Sequence, residues 1–251
     1  MTTSPDATGL SSDATPTGVT PIVALDVPDL PRARAMVEQL GESCGFYKVG
    51  LELFAAEGPA VVAWLRDVGK EVFVDLKLHD IPNTVRSAAR AVARHGASLL
   101  TVHASGGTAM ISAAVEGANE ASDGRCGILG VTILTSLDAS GVEQAWGRLG
   151  VIVEQEVVRL AGFARTASAA GVVCSGHEAA AVRASYGPDL GTLVPGIRLA
   201  GGDAHDQRRV MTPALAAAAG ARWLILGRAV TGAADPVAAM MSVHSALAPV
   251  A

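Results

Sequence analysis

Residues 73–83 read FVDLKLHDIPN and place ionisable side chains in a segment that otherwise has the pattern of a β-strand. Apolar residues alternate with the charged ones, and Pro82 ends the run. Because side chains alternate across a strand, we expect Asp75, Lys77 and His79 to share the face opposite the apolar residues. The position of this strand in the fold decides whether the charges are exposed on a surface or collected in a site.

The same kind of unit repeats along the chain: a short strand rich in β-branched residues, a turn and an amphipathic helix. Eight strands are predicted, at residues 21–27, 46–50, 71–78, 98–104, 126–135, 171–175, 191–197 and 222–227. Helical patterns lie between them. Eight strands that alternate with eight helices predict an α/β fold, a single-domain (β/α)8 TIM barrel over residues 21–251. A doubly wound open sheet is the alternative, but it normally has fewer strands and often a G-x-G-x-x-G motif after the first strand, which is absent here.

Composition and charge limit the classes of protein to which the chain can belong. The net charge is −5 and no block of Lys or Arg occurs, so nucleic acid is not indicated as a partner. No run of about 18 apolar residues occurs, so we predict no membrane span.

Residues 1–20 are rich in Ser, Thr, Pro and Asp and lack a secretory h-region, which predicts a disordered tail. Three scattered cysteines are typical of free thiols in a reducing compartment, so we expect a cytoplasmic protein.

Polar residues follow several of the predicted strands, where the active site of such a barrel is built. Charges that point into the crowded interior are costly unless they are paired or used in chemistry. The barrel therefore predicts that the polar residues near the carboxyl ends of the strands meet at one mouth. Besides those of the opening segment, they are Asp26, Lys48, His103, Thr135, Ser136, Arg198 and Arg228.

Lysine usage favours a chemical role for the charges in the opening segment. The chain has sixteen arginines and only three lysines, Lys48, Lys70 and Lys77, and two of these three are predicted to point into the mouth. An ammonium group can release a proton, whereas a guanidinium group effectively cannot. The alternative is that Asp75, Lys77 and Asp80 form a structural network of ion pairs.

The loops after the seventh and eighth strands have the composition of a phosphate site. Residues 193–209 read LVPGIRLAGGDAHDQRR, and residues 226–232 read LGRAVTG. Phosphate sites in these barrels are typically built by these two loops. We expect the backbone at Gly227 and the side chains of Arg198 and Arg228 to approach an anion, and the loop is long enough to close over a ligand.

Histidines and cysteines do not form a clear metal motif. His79 and His103 are predicted to be hydrogen-bonded structural residues rather than catalytic bases, because no partner that would make either one a base is identifiable from the sequence. Cys174 and His177 form a C-x-x-H pair without a second pair nearby, so no metal site is predicted.

The motifs as a set resemble a known family of enzymes. DLKLHDIPNT is similar to the signature of the bacterial orotidine 5'-phosphate decarboxylases. VALDV, YKVGLELF, TVHASGG, GVTILTS, GVVCS, VPGIRL, DQRRVMTP and ILGRAVT resemble further blocks of that family, in order. The resemblance covers about residues 21–240 and implies decarboxylation of orotidine 5'-phosphate to uridine 5'-phosphate, the last step of de novo pyrimidine synthesis.

The resemblance also implies a role for each matched residue. Lys77 would protonate C6 of the pyrimidine as carbon dioxide leaves, with Asp75 beside the leaving carboxylate. Asp80 would come from the partner subunit of a homodimer. Lys48 would complete an alternating array of charges, and Asp26 would hold the ribose hydroxyls.

The remaining substrate-binding positions follow from the same resemblance, which implies no cofactor and no metal. Thr135 would contact the pyrimidine, and residues of the HDIPNT segment and of the last two loops would complete the site. The segment contributes Ile81 and Thr84, and the loops contribute Arg198, Gln207, Gly227 and Arg228.

Two alternatives to this function stay open. Metal-dependent relatives, such as hexulose-phosphate synthases and keto-gulonate-phosphate decarboxylases, share the D-x-K-x-x-D strand but place a carboxylate where this chain has Lys48. A barrel that binds a phosphate ligand without catalysis would not require an interior amine such as Lys77.

Overall fold

The computed structural model describes residues 18–199 and 211–248. Eight parallel strands close into a barrel in chain order, with β1 hydrogen-bonded to both β2 and β8. The predicted barrel is therefore confirmed, and the open sheet is excluded. The strands are β1 (Thr20–Ala24), β2 (Phe46–Val49), β3 (Glu71–Leu78), β4 (Leu99–His103), β5 (Gly127–Val131), β6 (Gly171–Val173), β7 (Gly191–Val194) and β8 (Trp223–Leu226).

Eleven α-helices surround the barrel in the described residues, rather than the eight predicted. The additional helices arise because three connections contain two helices each. In the first of these, Gly58 and Pro59 separate one helix from the next. The helices are α1 (Leu30–Leu40), α2 (Leu51–Glu57), α3 (Ala60–Asp67), α4 (Pro82–Arg94), α5 (Gly107–Ser122), α6 (Ala139–Trp146), α7 (Val153–Thr166), α8 (Ala179–Tyr186), α9 (Pro213–Ala218), α10 (Arg228–Thr231) and α11 (Pro236–Ala246).

Two apolar clusters form the core. The larger one fills the layer between strands and helices, and Leu76 and Leu78 pack against it as the strand pattern predicts. The smaller one fills the inside of the barrel with inward-facing strand residues. Its members are Ile22, Ala24, Phe46, Phe73, Leu99, Leu129, Leu193, Trp223 and Ile225. On β3 the inward face therefore changes from apolar Phe73 to charged Asp75 within two positions. The smaller apolar cluster thus lies directly beneath the charged residues.

Seven of the eight strands end earlier than the sequence predicts, and only β3 ends at the predicted residue. β5 ends at Val131 rather than at residue 135, because its neighbour β6 already ends at Val173. Thr132 uses both its backbone N–H and its hydroxyl to donate to the carbonyl of Val173, after which the chain leaves the sheet. β1 ends at Ala24, so Asp26 lies two residues beyond the strand rather than within it.

Two further predictions concern the N-terminal tail and the absence of a membrane span. The predicted tail, residues 1–20, lies outside the described residues up to position 17, and Thr20 is the first residue of β1. Within the described part of the chain, none of the helices combines the length and apolar character that crossing a bilayer requires.

Candidate active site

β3 departs from regular strand geometry at the residue that the sequence singles out. Val74 is in register with Leu100 and Leu78 with Val102, so three residues of β3 lie opposite the single residue Thr101 of β4. Within this bulge the backbone of Lys77 is left-handed, with φ +50°. A left-handed non-glycine residue costs about 1–2 kcal/mol. The pairing of β3 with β4 is therefore interrupted at Lys77, although Asp75 and Lys77 still share a face as predicted, and such strain is typical of functional sites.

Four side chains at the carboxyl ends of the first three strands form an alternating array of charges. The Lys48 ammonium is 2.7 Å from Asp26 Oδ1 and 4.0 Å from Asp75 Oδ2. The Lys77 ammonium is 2.9 Å from the same Oδ2 atom. Asp75 therefore lies between two cations, and Lys48 between two carboxylates. The structure brings together four of the residues that the sequence predicts for the site, and we call them the charge array.

The middle of the array is buried and its two ends are more exposed. The side chains of Lys48 and Asp75 are 10% and 14% exposed, whereas that of Asp26 is 64% exposed. Buried charges are tolerated when each has a partner, and the alternation of signs supplies one at every step. Lys77, with 29% of its side chain exposed, presents its ammonium group at the edge of the mouth. A ligand entering the mouth can therefore reach this ammonium.

Gly50, which precedes α2, lies against the ion pair of Lys48 and Asp26. A Cβ atom at this position would be 2.8 Å from Lys48 Nζ and 3.3 Å from Asp26 Oδ1. The backbone at Gly50 is extended, with φ −89° and ψ −175°, so its conformation does not require glycine. The absence of a side chain is what leaves room for the ion pair of Lys48 and Asp26.

Thr101 of β4 is part of the site and was missed by the sequence analysis. It is fully buried. Its hydroxyl accepts a hydrogen bond from the Lys77 N–H at 2.9 Å and donates one to Asp75 Oδ1 at 2.9 Å. The sequence signals are that it begins the TVHASGG block and that it lies between Leu99 and His103 on the inward face of the strand. That spacing predicts where the side chain points but not what it contacts.

The two histidines contact each other rather than acting as separate hydrogen-bonded residues. The rings of His79 and His103 have centroids 5.4 Å apart and are tilted by 41°. Burial, and then the nearby charges of His79 and Lys77, lower the pKa of His103, while Asp75 acts in the opposite direction. His103 is therefore neutral at neutral pH. Within the described residues no hydrogen bond joins either ring to another protein group, and their structural role stays a prediction.

Asp80, Ile81 and Thr84 lie apart from the array. All three are exposed, and Ile81 is 67% exposed. The Asp80 carboxylate accepts a hydrogen bond from the Ile81 N–H at 2.7 Å and contacts none of the array residues within residues 18–199 and 211–248. One chain therefore does not bring Asp80 to Lys77, and the predicted network of Asp75, Lys77 and Asp80 does not form within it.

Thr135 lines a separate cavity at the carboxyl ends of β5–β7. The cavity has a volume of 760 Å³, and its lining also includes Ser175, Glu178 and Gly196 but no member of the charge array. Thr135 and Ser136 are exposed in the loop after β5. Their position at the mouth matches the prediction, although no contact joins them to the array in the described part of the chain.

The predicted phosphate-binding positions lie at the ends of β7 and β8. The Arg198 N–H donates to the carbonyl of Met211 at 3.0 Å, which links the two sides of the undescribed segment 200–210. Arg228 is exposed at the start of α10, and a Cβ on the preceding Gly227 would have no neighbour within 4 Å. This glycine therefore leaves open space beside Arg228. Gln207, Arg208 and Arg209 lie outside the described residues.

No cluster of three or more His, Cys, Asp or Glu side chains in the described residues could hold a metal ion. Cys174 is buried whereas His177 is exposed, so this pair does not form a ligand set.

Comparison with known proteins identifies the family. The family model described as "Orotidine 5'-phosphate decarboxylase / HUMPS family" matches residues 20–243. The chain belongs to this family. Among curated members, orotidine 5'-phosphate decarboxylase of Anaeromyxobacter dehalogenans is 50% identical over 224 residues, which is 89% of this chain and 96% of that protein. The Moorella thermoacetica enzyme of the same name is 48% identical over 226 residues, covering 88% of this chain and 89% of that protein.

Solved structures of the orotidine 5'-phosphate decarboxylase family have the same architecture. The enzyme from Lactobacillus acidophilus superposes with a TM-score of 0.81 at 34% identity, covering 91% of this chain and 99% of that chain. The enzyme from Pyrococcus horikoshii gives 0.71 at 25% identity, covering 92% and 100%. The family resemblance stated from the sequence motifs is therefore confirmed.

Proposed function

We propose that this chain decarboxylates orotidine 5'-phosphate to uridine 5'-phosphate. The observation that carries the proposal is the charge array Asp26–Lys48–Asp75–Lys77, which lies at the mouth of a barrel belonging to this family. Curated relatives with close to half their residues identical bear the name of that activity. The product is the nucleotide from which other pyrimidine nucleotides are made.

The array has the chemistry that the reaction requires. Loss of carbon dioxide from C6 of the pyrimidine leaves a strongly basic carbanion, because the ring offers no electron sink at that carbon. The Lys77 ammonium stabilises the developing negative charge and then transfers a proton to C6. Asp75 directs this ammonium to one point, since Lys77 and Lys48 share the same carboxylate oxygen.

Residues around the mouth bind the ribose, the pyrimidine ring and the phosphate of the substrate. Asp26, at the exposed end of the array, holds the ribose hydroxyls, Lys48 beside it completes the array, and Thr135 contacts the pyrimidine ring. Phosphate is bound at the ends of β7 and β8 by Arg198, Gly227 and Arg228, together with Gln207. Its binding energy, remote from C6, orients the ring and favours closure of the loop.

We propose that the active enzyme is a homodimer in which each subunit completes the other's site. Asp80, Ile81 and Thr84 are exposed in the single chain, and Asp80 contacts no member of its own array in the described residues. The family resemblance supports the proposal, because it assigns Asp80 to the partner subunit. The partner's Asp80 then approaches Lys77 from the mouth of the barrel.

The mechanism uses only side chains of the protein, so we propose no metal and no cofactor. The metal-dependent relatives are disfavoured because Lys48, an ammonium paired with Asp26, occupies the place where they have a carboxylate ligand. Three buried free cysteines suit a reducing compartment, and we place the enzyme in the cytoplasm.

The test is the loss of substrate absorbance when orotidine 5'-phosphate is added to the purified protein in excess chelator. Rapid turnover supports the proposed reaction and rejects the metal-dependent alternatives. If the folded protein shows no turnover with or without divalent cations, the proposed function is wrong, and a barrel that binds its ligand without catalysis becomes the better interpretation.

A further inference from the structure

A single buried hydroxyl joins the bulge of β3 to the charge array. Three residues of β3 lie opposite Thr101, so the backbone of β4 does not offer regular strand pairing across the bulge. The Lys77 N–H donates instead to Thr101 Oγ1 at 2.9 Å. Thr101 is fully buried, so no water can replace its hydroxyl without a rearrangement of the strands.

The direction of both hydrogen bonds of this hydroxyl is fixed by chemistry. A backbone N–H only donates, so Thr101 Oγ1 accepts from Lys77. The single hydroxyl proton is then directed to Asp75 Oδ1, 2.9 Å away, since an ionised carboxylate only accepts. The other oxygen of Asp75 accepts from the Lys77 ammonium at 2.9 Å. The three residues therefore form a closed ring of hydrogen bonds through the backbone and the side chain of Lys77.

We infer that Thr101 is a positioning residue of the reaction, which holds the left-handed backbone of Lys77 and directs the Asp75 carboxylate toward the Lys77 ammonium. This inference rests on the proposed function. Without the hydroxyl, the Lys77 N–H would be buried without an acceptor, and Asp75 Oδ1 would lose its donor and be free to rotate. Since proton transfer to carbon depends on the position of the ammonium, the chemical step suffers more than substrate binding does.

Two substitutions separate positioning from packing. Thr101→Val keeps the shape of the side chain and removes the hydroxyl, whereas Thr101→Ser keeps the hydroxyl and removes a methyl group. For Thr101→Val we expect kcat to fall about 10–100-fold, with a smaller change in KM and in affinity for uridine 5'-phosphate. For Thr101→Ser we expect kcat within about threefold of the parent, because both hydrogen bonds are kept.

Thr192 of β7 provides a matched control. It is also buried, and its hydroxyl donates to the carbonyl of Gly220 at 3.3 Å, away from the array. Thr192→Val removes a comparable hydroxyl, so we expect a similar change in melting temperature but an unchanged kcat. A purely structural role for Thr101 would make the two valine variants alike in kcat per folded molecule, and that result would overturn the inference.

The remaining outcomes are also decisive. If Thr101→Val does not fold, Thr101→Ala and Thr101→Ser are compared in the same way, and equal kcat values for these two reject the positioning role. A Thr101→Ser variant as impaired as Thr101→Val would show that keeping the hydroxyl does not preserve kcat, and it would also overturn the inference. If the unaltered protein does not turn over orotidine 5'-phosphate, the proposed function fails independently of these variants.

Discussion

Lys77 and Lys48 direct their ammonium groups to the same oxygen of Asp75, but only Lys77 lies at the open edge of the array. Replacement of Lys77 by alanine removes the proposed proton donor. We expect decarboxylation to fall by roughly 10³-fold or more, since positioned proton transfer alone contributes about 10²–10⁴-fold. The fall is measured as kcat/KM for orotidine 5'-phosphate, with circular dichroism to show that the barrel is intact.

Lys70 provides the control for this substitution. Its ammonium group donates to the carbonyl of Gly41 at 2.8 Å and lies 3.9 Å from Glu42, at the opposite end of the barrel. Lys70→Ala therefore removes a lysine without touching the array, and activity should be unchanged. Near-normal turnover by Lys77→Ala would refute the role proposed for Lys77.

Gly50 is the second residue at which a small change tests the array. An alanine Cβ would be 2.8 Å from Lys48 Nζ, the end of a flexible side chain that can shift at little steric cost. We therefore expect Gly50→Ala to lower the free energy of unfolding by only about 0.5–1 kcal/mol. Activity should fall about 10–100-fold, because a displacement of order 1 Å in a catalytic array is costly.

Gly141→Ala is a suitable comparison, since the nearest atom to its added Cβ is the side-chain Cδ2 of Leu137 at 3.1 Å. Steady-state kinetics measure the change in activity of both variants, and thermal melting measures their change in stability. Parent-like kinetics in Gly50→Ala would show that Lys48 tolerates displacement, and the steric account of this glycine would then be wrong.

At the scale of the elements, the loop between α6 and α7 is held by one buried carboxylate. The Glu156 side chain is 10% exposed and accepts hydrogen bonds from Arg148 and Arg159, the latter at 2.7 Å. Both arginine side chains are about half exposed. This arrangement anchors the start of α7 behind the loop that carries Thr135, so its contribution is to stability rather than to chemistry.

Glu156→Gln should lower the free energy of unfolding by about 1–3 kcal/mol at neutral pH, since a charged acceptor is lost. Burial by itself raises the pKa of Glu156, but the hydrogen bonds from Arg148 and Arg159 outweigh it and leave the pKa below the ordinary value of 4.5. The stabilisation is therefore present above pH 4.5 and is lost as the pH falls through the lowered pKa. Urea unfolding of both proteins across this range measures the difference.

Glu154, on the same helix and exposed, serves as the control. Glu154→Gln should change the free energy of unfolding by less than about 0.5 kcal/mol at any pH in this range. A difference between Glu156→Gln and the parent that persists unchanged below the lowered pKa would contradict the assignment to the ionised carboxylate.

At the scale of the whole molecule, the prediction concerns whether two chains share residues in their active sites. If each active site takes Asp80 from the partner, Lys77→Ala and Asp80→Asn are both inactive alone but complement each other when mixed. After unfolding and refolding together, half of the dimers are mixed, and each has one intact site of two. The mixture should therefore recover about a quarter of the parent's activity.

Refolding each inactive variant alone provides the baseline, and sedimentation shows that dimers have formed. If Asp80 instead served the Lys77 of its own chain, every mixed dimer would carry one defect in each site. The mixture would then show no recovery, and the proposal of shared sites would be wrong.

Several features of the fold and the site were predictable from the sequence, because they depend on local patterns. Short runs rich in β-branched residues identified the eight strands, and their regular alternation with helices identified the barrel. The rarity of lysine singled out Lys48 and Lys77, and strand ends predicted that they would lie at the same mouth. Helix number and strand length were less predictable, because Gly58 divides a helical connection and the short β6 ends the pairing of β5.

Residue type and local periodicity were therefore enough to predict the barrel and the charged residues at its mouth. The tertiary structure decided how those residues are held. The left-handed Lys77, the hydroxyl of Thr101 and the empty space at Gly50 depend on the register of neighbouring strands. Register brings together residues that are distant along the chain, and no local pattern encodes which atoms then meet.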